Sequence, residues 1–275
     1  MPDSVFQVYK DQFSYDKTGL KARVEWRKES GKDWVEEKIT FDAAYGNERL
    51  IAYLFLPKSS PPPFQTVIYF PGSGSILQKT SEKLDQYWEF DVRLSALVKN
   101  GRAVLYPIYK GTFERGDEAL SEADNNSHLY AEWSIKIVKD FKRCIDYLET
   151  RRDIDSQKLA YFGFSWGGLL GATILAVEDR LKAGVLAVGR IRGTGRPEVN
   201  DLNYVTGVKI PILMLNGKYD MSFPFETNVK PLFDLLGTPR QQKELKVYDN
   251  DHFIPRNEFI KETLNWLDKY LGPVK

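Results

Sequence analysis

KLAYFGFSWGG, residues 158–168, places a serine between an apolar run and an apolar helix-length segment. Residues 158–164 have the length and character of a buried strand. The run breaks at Gly163-Phe164-Ser165-Trp166-Gly167, and residues 168–177 continue as a strongly apolar helix. Strand, sharp turn and helix with Ser165 at the apex make a nucleophile elbow, a turn that lifts the hydroxyl clear of the sheet. A side chain at Gly163 or Gly167 would crowd the neighbouring strand and helix. The following helix aims its N-terminus at the serine, where its partial positive charge favours an oxyanion. The pattern G-x-S-x-G alone arises by chance in about one chain in ten of this length, so the weight rests on its context and its partners.

The composition excludes several classes of function. The chain has 275 residues, 42% of them apolar and 13% aromatic, enough for a sizeable core. A net charge of +1 gives no reason to expect a nucleic-acid or anionic-membrane partner. One cysteine, Cys144, rules out an internal disulfide, and with two histidines it argues against a zinc-type metal site. No apolar run approaches a membrane span. The opening MPDSVFQVYKDQ lacks the basic and apolar regions of a signal peptide, so a cytoplasmic location is expected.

Along the chain, strands alternate with helices. Residues 1–34 are charged and show no clear period, and are expected to form an extension packed on the core. Residues 35–40 and 50–56 flank the turn-rich Ala44-Tyr45-Gly46-Asn47 and read as a hairpin. Residues 66–70 (TVIYF) and 103–109 read as buried strands, and 92–98 as a helix stopped by Asn100-Gly101. A polar loop follows over 110–127. Trp133, Ile137, Phe141, Ile145 and Leu148 recur at helical spacing and predict a long helix over 129–150. After the elbow come strands at 183–188, 212–215 and 245–248 and helices at 226–236 and 258–270, with a loop over 189–209 too short for a large lid. This order predicts an α/β fold: a mostly parallel central sheet, an antiparallel N-terminal edge hairpin and helices on both faces. Residues 1–275 are expected to form a single domain.

A serine hydroxyl needs a base, usually a histidine oriented by an acid. In parallel-sheet hydrolases the chain order is nucleophile, acid, histidine. His252 follows a strand and satisfies that order; His128 precedes the elbow and reads as an exposed or capping residue. Asp220 lies just beyond the strand at 212–215, where the acid belongs. Asp201 falls in a long loop, Asp234 mid-helix, and Asp249 and Asp251 too near His252 in sequence; Glu226 is a distant alternative. The oxyanion donors are expected to be the backbone N–H groups of Trp166, after the nucleophile, and Ser73, in Pro71-Gly72-Ser73-Gly74-Ser75 after the strand at 66–70. Gly72 turns the backbone there. That loop lacks the glycine of a P-loop at Gln78 and the third glycine of a dinucleotide fingerprint at Leu77, so no nucleotide site is expected. Gly72, Trp88, Phe113, Tyr204 and Phe223 are candidates for the substrate pocket, although each aromatic is also a natural packing residue.

These residues resemble the α/β-hydrolase family over most of the chain. The stretches TFDAAYGNERLIAYLFLPK, VIYFPGSGS, GFSWGG, RPEVNDLNY, IPILMLNGKYDMSFP and KPLFDLLGTP are similar to acetyl-xylan-esterase-like and dienelactone-hydrolase-like bacterial domains. Their nearest resemblance is to the group fused behind serine/threonine protein kinases. Pro71-Gly72 stands where the family usually has histidine-glycine. No kinase signature is present, so the resemblance implies the hydrolase part of such a fusion. It also implies a serine carboxylesterase acting on short-to-medium acyl esters through an acyl-enzyme, with no cofactor and a small-molecule ester as its partner. Two alternatives remain: a peptidase of the acylaminoacyl or dipeptidyl type on the same triad, and a non-catalytic ligand-binding or regulatory module.

Overall fold

In the computed structural model, which describes residues 2–117 and 123–274, every strand belongs to one nine-stranded sheet. The strands are β1 (Arg23–Lys28), β2 (Trp34–Asp42), β3 (Arg49–Pro57), β4 (Phe64–Phe70), β5 (Ala103–Ile108), β6 (Ile154–Phe164), β7 (Ala183–Ala187), β8 (Ile212–Gly217) and β9 (Lys243–Tyr248). They lie in the order β1-β2-β3-β5-β4-β6-β7-β8-β9. β1, β2 and β3 pair antiparallel with one another and β3 antiparallel with β5, whereas β5, β4 and β6 to β9 run parallel. The expected α/β-hydrolase sheet is therefore present, with one strand more at its antiparallel edge than the hairpin alone. β1 escapes sequence reading because its alternation is only two apolar residues long, Val24 and Trp26, in a charged stretch that is almost all exposed.

The helices are α1 (Asp3–Asp11), α2 (Ser95–Lys99, entered through a π-turn at Phe90–Leu94), α3 (His128–Glu149), α4 (Trp166–Val177), α5 (Lys230–Leu235, entered through a π-turn at Phe225–Val229) and α6 (Arg256–Leu271). Strand alternation sends neighbouring residues into two separate cores. On β4, Ile68 and Phe70 join the core under α3 and α4, while Val67 and Tyr69 join the core under α2 and α6. All seven residues of β4 are buried, as the near-continuous β-branched and aromatic run at 66–70 predicts for a strand covered on both faces. Trp133, Ile137, Phe141, Ile145 and Leu148 do form the buried stripe of α3. α4 is apolar all round and buried along its whole length, the property of a helix packed into the middle of a protein.

Residues 1–34 hold α1 as well as β1, and α1 has a docking site. Phe6 and Tyr9 of α1, and Phe13 just beyond it, approach the Tyr204 ring edge-on, with centroids 6.4, 6.1 and 5.7 Å away. Residues 189–209 contain only short 3₁₀ turns, at Pro197–Val199, Asp201–Asn203 and Val205–Gly207, and no lid is evident among the described residues. The loop expected over 110–127 lies partly outside the described residues.

β5 returns to one side of β4 and β6 goes to the other, so the winding reverses at β4. In open α/β sheets the crevice beyond the strand ends at such a reversal is where ligands bind. Phe70 of β4 is level with Gly163 of β6, Phe164 with Ala187 of β7, and Ala187 with Leu215 of β8. The loops after these four strands therefore emerge side by side.

Candidate active site

Ser165 sits at the turn between β6 and α4 with φ 53° and ψ −100°, a conformation that a side chain adopts only under constraint. The close approach of the two flanking glycines enforces it. A Cβ on Gly163 would lie 2.4 Å from the Gly167 carbonyl oxygen, and one on Gly167 would lie 2.3 Å from that of Phe70. The Gly167 amide donates to the Pro71 carbonyl at 3.1 Å, and the Ser165 amide donates to Ala187 at 2.9 Å. The elbow is thus tied to the loop after β4 on one side and to β7 on the other. Val188, at the end of β7, also has a positive φ of 57°, a strained conformation for a β-branched residue.

His252 comes from the loop between β9 and α6, Asp220 from the loop after β8. His252 Nε2 lies 3.0 Å from Ser165 Oγ, and His252 Nδ1 lies 2.7 Å from Asp220 Oδ2. Asp220 is buried, and its Oδ1 accepts the Ser222 and Phe223 amides at 2.9 and 3.1 Å. A carboxylate held in this way can only accept, so Nδ1 carries the proton and Nε2 presents a lone pair to the serine hydroxyl. An imidazole so placed can take the hydroxyl proton, and its resulting charge would face Asp220.

The other acids lie elsewhere. Asp201 is buried and accepts the Arg192 and Gly193 amides, closing its own loop. Asp234 is exposed beside Lys230, Asp251 accepts the Phe253 amide, and Asp249 and Glu226 are exposed. His128 is the exposed first residue of α3, next to the Ser127 cap whose hydroxyl accepts the Tyr130 amide.

The Ser73 and Trp166 amides have no hydrogen-bond acceptor among the described residues, and Ser73 is exposed. The Gly72 amide is occupied: it donates to the Glu89 carboxyl, at 3.2 and 3.3 Å to its two oxygens. Gly72 therefore shapes the turn and has no amide to offer a substrate. The Trp166 side chain points into the core between Phe70 and Trp133, with centroids 5.1 and 5.5 Å away.

Of the candidate pocket aromatics, the structure brings two to the site. The Phe223 ring stands edge-on to the His252 imidazole at 4.9 Å, under the Arg190 guanidinium at 4.1 Å. Trp88, 40% exposed, packs edge-on to Phe164 and Phe253. Phe113 is buried against Tyr87 and Tyr106, beside a pocket of about 440 Å³ that Ile76, Leu77, Gln78 and Lys79 also line. Tyr204 is not at the site: it is fully buried under α1, and its hydroxyl donates to the Glu198 carbonyl at 2.6 Å. The signal that could have placed Tyr204 correctly is the helical spacing of Phe6, Tyr9 and Phe13, the three rings that cover it, which is short and lies in a charged stretch.

Sequence reasoning missed three side chains near the site. Phe253, 53% exposed, lies 5.6 Å from His252, ring to ring. Glu89 and Arg93 are buried beneath the turn and the elbow. Adjacency to His252 in sequence could have flagged Phe253, but nothing in the sequence flags a buried glutamate. Among the described residues no three His, Cys, Asp or Glu side chains are grouped to hold a metal ion, and no helix is long and apolar enough to cross a membrane.

Residues 89–259 match the model of the dienelactone hydrolase family. The chain belongs to that family. This dienelactone hydrolase family member is 26% identical over 165 residues to the putative hydrolase YtaP of Bacillus subtilis strain 168, a match that covers 58% of this chain and 53% of that protein. The chain spans about half the length of that curated relative. Among solved structures it resembles an acetyl xylan esterase from Paenibacillus sp. R4, with a TM-score of 0.72, 16% identity and coverage of 98% of this chain and 94% of that one. A cold-adapted esterase from an Arctic intertidal metagenomic library gives a TM-score of 0.70 at 18% identity, covering 94% and 100%. A putative dienelactone hydrolase from Klebsiella pneumoniae gives 0.65 at 20%, covering 86% and 99%. At these identities the likeness is one of fold.

Proposed function

We propose that this protein is a serine carboxylesterase that cleaves short-to-medium acyl esters. Ser165 Oγ attacks the ester carbonyl while His252 Nε2 takes its proton, and Asp220 holds the imidazole and balances its charge. The tetrahedral oxyanion lies between the Ser73 and Trp166 amides. Collapse expels the alcohol, protonated by His252, and water then releases the acyl group from Ser165 by the same path. The observation that carries this reading is the unbroken chain of contacts from Ser165 Oγ through His252 to Asp220, at 3.0 and 2.7 Å. Family membership supports hydrolysis as the reaction, and the acetyl xylan esterase likeness supports a small acyl group. The single sheet that carries every one of these loops supports reading the chain as one catalytic unit.

The test is covalent labelling with a fluorophosphonate, mapped by peptide mass spectrometry, alongside hydrolysis of p-nitrophenyl acetate, butyrate and octanoate. The expected result is one adduct, on Ser165, with turnover lost in proportion to labelling. Ser165→Ala is expected to lose on the order of 10⁴- to 10⁶-fold in kcat, because the members of such a triad act as a unit. Turnover that survives both labelling and Ser165→Ala would remove the proposal.

A further inference from the structure

Glu89 is fully buried, belongs to no part of the proposed triad, and has no salt-bridge partner among the described residues. Its Oε2 accepts the Tyr69 hydroxyl at 2.7 Å, and its two oxygens share the Gly72 amide. The other side of the same peptide unit is also held, because the Pro71 carbonyl accepts the Gly167 amide from the elbow. The Pro71–Gly72 peptide is therefore clamped between Glu89 and the residue that follows Trp166. Ser73, whose amide is free, comes next in the chain. Gly72 is what lets the carboxyl come so close: a Cβ there would lie 2.9 Å from Glu89 Oε1 and 3.1 Å from Phe164 Cδ1.

Arg93, one turn further on, completes the arrangement. Its guanidinium lies on the Phe164 ring at 3.4 Å, and its Nε is buried without a partner. Phe164 in turn packs on His252 with ring centroids 5.8 Å apart. The pair thus supports the oxyanion turn and the elbow from below.

We infer that Glu89 is a positioning residue for the proposed ester hydrolysis: its carboxylate holds the Pro71–Gly72 peptide so that the Ser73 and Trp166 amides converge on one oxyanion. The inference rests on the esterase reading above. Protonation removes the negative charge on which both donors, the Tyr69 hydroxyl and the Gly72 amide, rest, so it weakens both hydrogen bonds and loosens the turn. Burial pushes Glu89 up to about 7, against the Tyr69 hydrogen bond, the attraction of Arg93 and the Gly72 amide. The other titratable groups facing it are Tyr69 on β4, Tyr106 on β5 and Tyr87, all raised by burial and neutral near pH 7. Arg93 is the cation. The anchored form is therefore lost as pH falls through neutrality.

The experiment uses the full chain and p-nitrophenyl acetate, with kcat and KM measured from pH 5 to 9 and melting followed in parallel. Glu89→Gln is expected to lower kcat by about 10- to 100-fold, less than the loss of an oxyanion donor outright. KM should stay within about threefold, because the turn acts in the transition state. Below neutrality the acid limb of log kcat/KM should fall more steeply in the wild type than in Glu89→Gln, by about one to two extra log units in total. Tyr69→Phe keeps the carboxylate but removes a donor that stabilises it, and should move the Glu89 limb to higher pH. An acid limb of the same slope in Glu89→Gln, or an unmoved limb in Tyr69→Phe, overturns the inference. If Ser165→Ala also hydrolyses the ester, the esterase reading falls with it; if Ser165→Ala is inactive and Glu89→Gln behaves as wild type, only the role of Glu89 falls.

Discussion

Asp220 shows how much a single acceptor oxygen decides. Its Oδ1 is spent on two backbone amides, which fixes the side chain, and its Oδ2 fixes the tautomer of His252. Asp220→Asn keeps the shape but can turn an NH₂ towards Nδ1, which then becomes the acceptor and leaves Nε2 protonated against Ser165. We expect kcat to fall by about 10⁴-fold with little change in KM or melting temperature; a loss below about tenfold would show that the imidazole is oriented by something else. Ser165, His252 and Asp220 were legible in the sequence because each is a reactive residue type at a strand end, in an order that one arrangement explains. Glu89 was not. A glutamate between Trp88 and Phe90 in a charged stretch reads as solvated, and only the fold shows it fully buried beneath a turn.

At the scale of elements, legibility followed periodicity. β4, α3 and α4 announce themselves through near-continuous or 3.6-spaced apolar residues, and the structure has them where the pattern does. β1 and α1 carry weaker signals: β1 is an exposed edge, and the helical spacing of Phe6 and Tyr9 in α1 covers a single turn of a charged stretch. In the sequence Tyr204 therefore reads as a pocket residue, whereas in the fold it is the ring on which α1 sits. A packing role and a substrate contact predict different things. Tyr204→Ala should cost about 3–5 kcal/mol of stability, the usual range for truncating a buried aromatic. The folded variant should keep its KM for p-nitrophenyl esters. A raised KM at unchanged stability would return Tyr204 to the site.

At the scale of the whole molecule, the site is bound up with the stability of the fold through its buried charge. A carboxyl raised from 4.5 to about 7 on folding binds its proton more tightly in the native state than in the unfolded chain. Its contribution to stability is therefore full below about pH 4.5 and is lost as pH rises through 7. Above that the folded protein must hold an anion in its core, at a cost of about 3 kcal/mol from the difference in the two values. Asp140 is also raised by burial and adds to the same trend, while Asp146 is lowered and opposes it, so the wild-type profile mixes several groups. The difference between wild type and Glu89→Gln isolates one of them. We expect Glu89→Gln to gain melting temperature relative to wild type from pH 5 to 8 and to level off above pH 8, even as it loses kcat. Opposite movements of stability and rate are what a residue retained for its effect on the active site produces. A constant difference in melting temperature across this range would mean that the Glu89 carboxyl does not change charge on its own, and that the buried anion is balanced within the fold.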